Sequence, residues 1–302
     1  MKELKNIFVI GAGAMGLPVA LKLAALPRTD VRVIADGERV ARYRRDGLFF
    51  NGERCELAYA APTEVAGISP DLVIVATKNG ALPQVAQLLQ QCSLRDSLIL
   101  PILNGISARD FFCEKFPSQQ TLYGLYLGHA SVREGNSVTF DGCGKICFGE
   151  SVNRPPCENV AAVAGLFDEA GIAYDVPQDM MQVMWAKYVL NIGINQAQAY
   201  FRADYGMVQQ DAEMLEFAKK LMAEAVAVAE VSGISGCDLM IGKALDIIMS
   251  MPPRVKTSML QDVEAGRATE VDAFAGTLCR MADAAGIPVP CNRMILDHFT
   301  KI

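Results

Sequence analysis

The chain is poor in several features that would direct a reading elsewhere. Its 302 residues hold one Trp and two His, and the nine Cys include no Cys-x-x-Cys pair. No run approaches the ~20 apolar residues of a membrane-spanning helix. The histidines, His129 and His298, lie far apart in sequence, so neither a His-based catalytic pair nor a metal site is expected. The closest cysteines, Cys143 and Cys147, have no His neighbours, and reduced thiols are expected rather than disulfides or a zinc site. Positive charge is scarce as well: 28 Lys plus Arg stand against 34 Asp plus Glu, a balance of −6. That excludes a basic surface for nucleic acid or an anionic membrane. The start carries charge and lacks both an apolar leader and a small-residue cleavage site, so a cytoplasmic protein is expected.

What is abundant is apolar. Half the residues (51%) are hydrophobic and 21% are charged, and the mean hydropathy is +0.21. Together these imply a large buried core, and the length allows two domains. The first half alternates β-branched runs with helical stretches, the rhythm of a parallel sheet. Strands are predicted over 6–10, 31–35, 71–77 and 97–103, with helices over 16–26 and 82–92. Glu134-Gly135-Asn136 marks a turn between strands 130–133 and 138–140, an antiparallel hairpin expected to close the domain. A helix over 160–170 and an extended 174–177 follow. Beyond 178 the apolar period is helical, over 180–198, 211–231, 237–249 and 271–285. Pro252-Pro253, Gly266 and Gly286-Ile287-Pro288 punctuate these helices. The expected division is an α/β domain over 1–176 and an all-α domain over 177–302.

Gly11-Ala12-Gly13-Ala14-Met15-Gly16 is a G-x-G-x-x-G placed after a strand and before a helix. In that context the glycines allow a tight turn, close approach of backbone to a pyrophosphate, and close helix–sheet packing. The helix start offers N–H groups to the phosphates. The first domain is therefore expected to be of the Rossmann type. Asp36 follows twenty residues later, where a carboxylate accepts from a ribose 2′-hydroxyl and repels a 2′-phosphate. That favours NAD(H) over NADP(H). An ordinary turn residue fits Asp36 too, and Arg39 and Arg42 are available to hold a phosphate.

Lys187, Asn191 and Asn195 recur every four residues on an otherwise apolar helix, forming one polar stripe. A cleft wall for a carbonyl, hydroxyl or carboxylate fits that pattern, and so does an ordinary wet face. Asn104-Gly105 follows a predicted strand at the end where parallel sheets bind ligands. Ser258 and Asp262 stand one turn apart if helical. Glu270 precedes the helix over 271–285, where an acid is also favoured by the dipole.

This set of pieces resembles the ketopantoate reductase (2-dehydropantoate 2-reductase) family over nearly the whole chain. The pieces are the glycine loop, the strand ending in Thr77-Lys78, Leu103-Asn104-Gly105, and the strands around His129-Ala130 and Gly135-Asn136. In the second half they are Trp185-x-Lys187-x-x-x-Asn191-x-x-x-Asn195, Ser258 to Asp262 and Thr269-Glu270-x-Asp272. The resemblance implies an NAD(P)H-dependent reduction of a branched 2-keto acid to a 2-hydroxy acid, with Lys187 as general acid and Glu270 bonded to the hydroxyl. Asn191, Asn195, Ser258 and Asp262 would orient the substrate. Asn104 would sit where nicotinamide and substrate meet, Lys78 along the cofactor, and residues Gly11 to Gly16 on the pyrophosphate. Family members that use NADPH commonly place a basic residue where this chain has Asp36. A related reading is an NAD-dependent D-2-hydroxyacid dehydrogenase of the same fold family. A dinucleotide-sensing regulator is a third, though a sensor has no need of a general acid. The apolar helical half allows a homodimer interface.

Overall fold

In the computed structural model, residues 2–128, 131–140 and 144–301 are described, apart from the side chains of Ser131 and Val132. The readings on His129, Ala130 and Cys143 fall outside the described residues. The chain forms two compact units, Met1–Asn104 with Ala108–Met180, and Gly105–Ser107 with Met181–Ile302.

The strands of the first unit are β1 (Asn6–Ile10), β2 (Asp30–Ile34), β3 (Phe49–Phe50), β4 (Glu53–Arg54), β5 (Ala58–Ala60), β6 (Leu72–Val75), β7 (Leu98–Pro101), β8 (Tyr123–Leu127), β9 (Ser131–Glu134), β10 (Ser137–Phe140), β11 (Lys145–Gly149) and β12 (Tyr174–Asp175). Its helices are α1 (Gly16–Ala24), α2 (Gly37–Asp46), α3 (Leu82–Leu89), α4 (Ala108–Cys113) and α5 (Glu158–Glu169). The main sheet is all parallel, in the order β5-β2-β1-β6-β7. Strand order reverses between β1 and β6, and doubly wound sheets bind ligands at the carboxyl ends beside such a reversal.

Alternate residues of each strand enter opposite cores. Ile7, Val9, Leu72, Ile74, Leu98 and Leu100 join Leu17 of α1 and Val160 and Phe167 of α5. Phe8, Ile10, Val73, Val75 and Ile99 join Val85 and Leu89 of α3 and Phe112 of α4. With both faces covered, a period of two leaves no polar side, which is why these strands read as continuous apolar runs.

The antiparallel hairpin forms as the sequence predicts. β9 and β10 pair antiparallel from Ser137 opposite Glu134 to Phe140 opposite Ser131, yet they do not extend the main sheet. They join two strands that the sequence did not reveal, in a separate sheet ordered β4-β3-β10-β9. The connection is local backbone bonding: Phe49 N donates to Asn136 O and Asn51 N to Val138 O, each at 2.9 Å. The Asn51 amide brackets Phe140, donating to its carbonyl at 3.1 Å and accepting from its N–H at 2.8 Å. β12, β11 and β8 form a third sheet.

The second unit has helices and connecting loops but no strand among its described residues: α6 (Met180–Leu190), α7 (Gln196–Phe201), α8 (Tyr205–Gln210), α9 (Ala212–Val231), α10 (Met240–Ser250), α11 (Ser258–Glu264), α12 (Thr277–Ala285) and α13 (Pro290–Thr300). Asp211 caps α9, accepting from Glu213 N at 2.9 Å and Met214 N at 3.0 Å, which satisfies two of the donors a helix start leaves open. Gly286 ends α12 at φ +69°, the left-handed position favoured by glycine.

Two departures from the periodic reading matter. Each of the predicted helices over 180–198 and 271–285 contains a π-helical turn, Asn191–Asn195 within the first and Asp272–Gly276 at the start of the second. In addition, α13 was not predicted; Gly286-Ile287-Pro288 reads as a break, whereas Pro290 occupies the first helical turn, where its missing N–H costs nothing. No described helix is long and apolar enough to cross a membrane.

Candidate active site

The glycine loop sits between the end of β1 and the start of α1. Gly11 has φ +104°, and a Cβ there would lie 2.5 Å from Ala76 O. A Cβ on Gly16 would lie 1.9 Å from Gly11 O. Both glycines are therefore required by the protein's own packing of loop, helix and β6. Gly13 differs: the nearest atom to a Cβ there is Arg133 Nη1 at 3.9 Å. A side chain at Gly13 would fill open space above the loop, as a cradle for an approaching pyrophosphate requires. Ala14 and Met15 complete the turn, and Leu17 N donates to Gly13 O at 3.0 Å to start the helix. Beside this loop, just past β6, the Thr77 hydroxyl is buried with no partner among the described residues. Buried hydroxyls normally find partners, so this atom and the open face of Gly13 both fit a polar ligand.

Ala12 O is not idle; Arg133 Nη1 of β9 donates to it at 3.0 Å. Asp36 is the N-cap of α2. Its Oδ1 accepts from Arg39 N at 2.9 Å, and its Oδ2 lies 3.2 Å from Arg39 Nε, with 58% of the side chain exposed. The turn-residue reading of Asp36 is thus realised alongside whatever the carboxylate does for a ligand. Lys78 is exposed and caps the short 3₁₀ turn Asn79–Ala81. Asn104 follows β7, half-buried, and its carbonyl accepts from Asn79 Nδ2 at 2.8 Å.

In the second unit, Lys187 lies half-buried in the last turn of α6. Asn191 and Asn195 open and close the π turn that follows, each 7% exposed. The stripe is therefore not a wet helix face. Neither amide is hydrogen-bonded to another described residue. The π turn packs against the second π turn, which starts two residues after Glu270, and against α11, which carries Ser258 and Asp262. The π turn that carries Asn191 and Asn195 thus adjoins the element that carries Ser258 and Asp262 and the turn that follows Glu270, and Lys187 lies in the last turn of the helix before it. Ser258 is exposed at the first position of α11, while Asp262 is buried. The Asp262 carboxylate accepts from Arg267 Nε at 2.9 Å, and its carbonyl accepts from Arg267 N at 2.8 Å. That clasp closes the end of α11. Glu270 is half-buried, and its carbonyl accepts from Phe274 N at 3.1 Å.

A π turn frees backbone groups that need other partners. Gln196, fully buried, supplies them to both turns. Its Nε2 donates to Ile192 O at 2.9 Å, and its Oε1 accepts from Ala275 N at 3.1 Å. Tyr188 donates to Phe274 O at 2.7 Å. Gln196 is held in turn by Asn292 Oδ1 at 3.0 Å, and the Asn292 amide donates to Glu224 at 2.8 Å. Arg133 and Gln196 both escaped the sequence reading. Arg133 is 121 residues from the loop it touches, and nothing local marks it; Gln196 directly follows Asn195, so its adjacency to the stripe was the available signal.

Burial pushes the Cys55, Cys92, Cys237, Cys279 and Cys291 thiols above their ordinary value, which makes these five poor nucleophiles. An open surface groove of about 710 Å³ at Tyr200, Pro290 and His298 contains none of the residues above.

The family profile described as Ketopantoate reductase PanE/ApbA matches residues 7–153, and that described as Ketopantoate reductase PanE/ApbA C terminal matches residues 179–302. A 2-dehydropantoate 2-reductase of Pyrococcus horikoshii is 26% identical over 291 residues, 96% of this chain and 95% of its own length. A solved PanE/ApbA family ketopantoate reductase from Ralstonia eutropha JMP134 has a TM-score of 0.85 at 25% identity, covering 98% of this chain and 97% of the other. D-mandelate dehydrogenase in its ternary structure with NADH and anilino(oxo)acetate has a TM-score of 0.86 at 22% identity, covering 97% and 96%, a likeness of fold. With an N-terminal parallel sheet, a helical C-terminal unit and both profiles matched, the chain belongs to the ketopantoate reductase PanE/ApbA family.

Proposed function

We propose that this chain is a 2-dehydropantoate 2-reductase, reducing the keto carbon of a branched 2-keto acid to a 2-hydroxy acid with a nicotinamide dinucleotide. The observation that carries the reading is the pair of buried, unbonded amides, Asn191 and Asn195, continuing the line of Lys187 on a helix otherwise packed in apolar core. Amides of largely buried residues that bond to no other described residue suit a substrate that brings its own oxygens.

Gly11 to Gly16 would hold the dinucleotide pyrophosphate, Asp36 the adenosine ribose, and Lys78 and Asn104 the nicotinamide end. Bound there, the nicotinamide supplies the hydride. Lys187 donates a proton to the keto oxygen, and its ammonium balances the negative charge that grows on that oxygen; such charge balance is usually the largest single contribution to lowering the barrier. Glu270 accepts a hydrogen bond from the resulting hydroxyl. Asn191, Asn195 and Ser258 orient the hydroxyl and carboxylate ends, fixing the keto carbon for attack. Asp262, clasped by Arg267, acts as a positioning residue for α11.

NADH is the favoured dinucleotide in this reading, because the Asp36 carboxylate stands where a 2′-phosphate would be repelled. A D-2-hydroxyacid dehydrogenase is the second reading, favoured by Asp36 and by the fold likeness to D-mandelate dehydrogenase with NADH. The deciding assay measures steady-state reduction of 2-dehydropantoate and of 2-ketoisovalerate, each with NADH and with NADPH. The highest kcat/KM is expected for 2-dehydropantoate with NADH. A higher value for 2-ketoisovalerate would favour the second reading, a preference for NADPH would remove Asp36 from its role, and no turnover of either acid would overturn both enzyme readings.

A further inference from the structure

Arg133 stands out among the cations. Four arginines are half-buried: Arg28, Arg32, Arg109 and Arg133. The first three each lie within 4 Å of a carboxylate, of Glu169, Asp30 and Asp110 respectively. Arg133 has no carboxylate partner among the described residues. Its three bonds go to neutral acceptors: Nη1 donates to Ala12 O at 3.0 Å, Nη2 to Tyr43 Oη at 2.9 Å and Nε to Gly135 O at 3.2 Å. A guanidinium carries five N–H donors, so one remains on each terminal nitrogen. A partly desolvated charge left in that state calls for an anion.

The position of the charge says which anion. Among the described residues, Nη1 is the one heavy atom within 4 Å of the place a Cβ on Gly13 would occupy, chain neighbours aside. That is the space the glycine loop leaves open at the start of α1. We propose that Arg133 is a phosphate ligand of the bound dinucleotide, reaching from the β9–β10 hairpin to cover the glycine loop. The inference rests on the dinucleotide reading above and adds to it a charged contact from outside the loop–helix motif. Arg suits the role because its planar fork can hold the loop carbonyl and a phosphate oxygen at once.

The test is calorimetric binding of NADH, NADPH, ADP-ribose and adenosine to the purified full chain and to Arg133→Met and Arg133→Lys. Wild type is expected to bind the dinucleotides and ADP-ribose. Arg133→Met is expected to weaken them by about tenfold to a hundredfold, the range for one charge-assisted bond, and to leave adenosine unchanged. Arg133→Lys, which keeps the charge without the fork, is expected to fall between. Equal losses for NADH and NADPH assign the contact to the pyrophosphate, whereas loss confined to NADPH assigns it to the 2′-phosphate. Wild-type affinity in both variants, or equal weakening of adenosine and ADP-ribose, would overturn the role of Arg133. Failure of the wild type to bind any of the dinucleotides would instead overturn the dinucleotide reading.

Discussion

Gly11, Gly13 and Gly16 sit within one turn of chain yet are glycine for different physical reasons, and substitution separates them. Alanine at Gly11 must adopt φ +104° and meet Ala76 O at 2.5 Å; alanine at Gly16 meets Gly11 O at 1.9 Å. Each change is expected to destabilise the fold by about 1–3 kcal/mol or more, read by urea titration. Gly13→Ala meets no atom of the described residues closer than 3.9 Å, so its stability should stay within about 0.5 kcal/mol of wild type. Its dinucleotide affinity should fall tenfold or more. A destabilised Gly13→Ala with normal affinity would contradict the cradle. The G-x-G-x-x-G spacing made the loop legible from sequence, but only coordinates separate the glycines that pack from the one that leaves room. Asp36 was legible in the same partial way: its distance from the loop is a sequence fact, while its capping of α2 and its pairing with Arg39 are not.

At the scale of elements, hydrophobic periodicity located β1, β2, β6, β7 and most helices of the second unit, because burial on one or both faces imposes the period directly. It could not locate the π turns. A π turn changes which carbonyl each N–H finds, and that change depends on partners distant in sequence. Gln196 is the clearest of these, bonding Ile192 and Ala275 in two different π turns. Gln196→Met keeps the side-chain length and removes those bonds. It is expected to cost about 1–3 kcal/mol of stability, the penalty for leaving buried backbone groups unmet. It is also expected to lower kcat for the 2-keto acid while leaving dinucleotide affinity near wild type, since the amides of Asn191 and Asn195 sit on the altered turn. Unchanged kcat would leave Gln196 a purely structural residue. β3, β4 and α13 escaped the sequence for related reasons: two-residue strands carry no period, and α13 is anchored by the polar Asn292–Glu224 contact rather than by a broad apolar stripe.

At the scale of the whole molecule, the excess of apolar residues is consumed by the two cores on either side of the parallel sheet and by the helical unit. Burial in that unit makes stability depend on pH in a stated direction. It pushes the Tyr188 phenol far above its ordinary value and Tyr205 up to about 12. With raised folded pKa values, these groups lend stability below the unfolded pKa of about 10 and withdraw it as pH rises further, by about 1.4 kcal/mol per pH unit per group. Urea midpoints are expected to drop between about pH 10 and 12, less steeply in Tyr188→Phe; parallel curves for the two proteins would remove Tyr188 from this account. The most direct measurement of the central claim is the steady-state rate of 2-dehydropantoate reduction at saturating NADH or NADPH, compared between wild type and Lys187→Ala. The account predicts measurable wild-type turnover and a kcat lowered by about 10²-fold or more in the variant, with dinucleotide affinity retained; near-wild-type turnover by Lys187→Ala would contradict it.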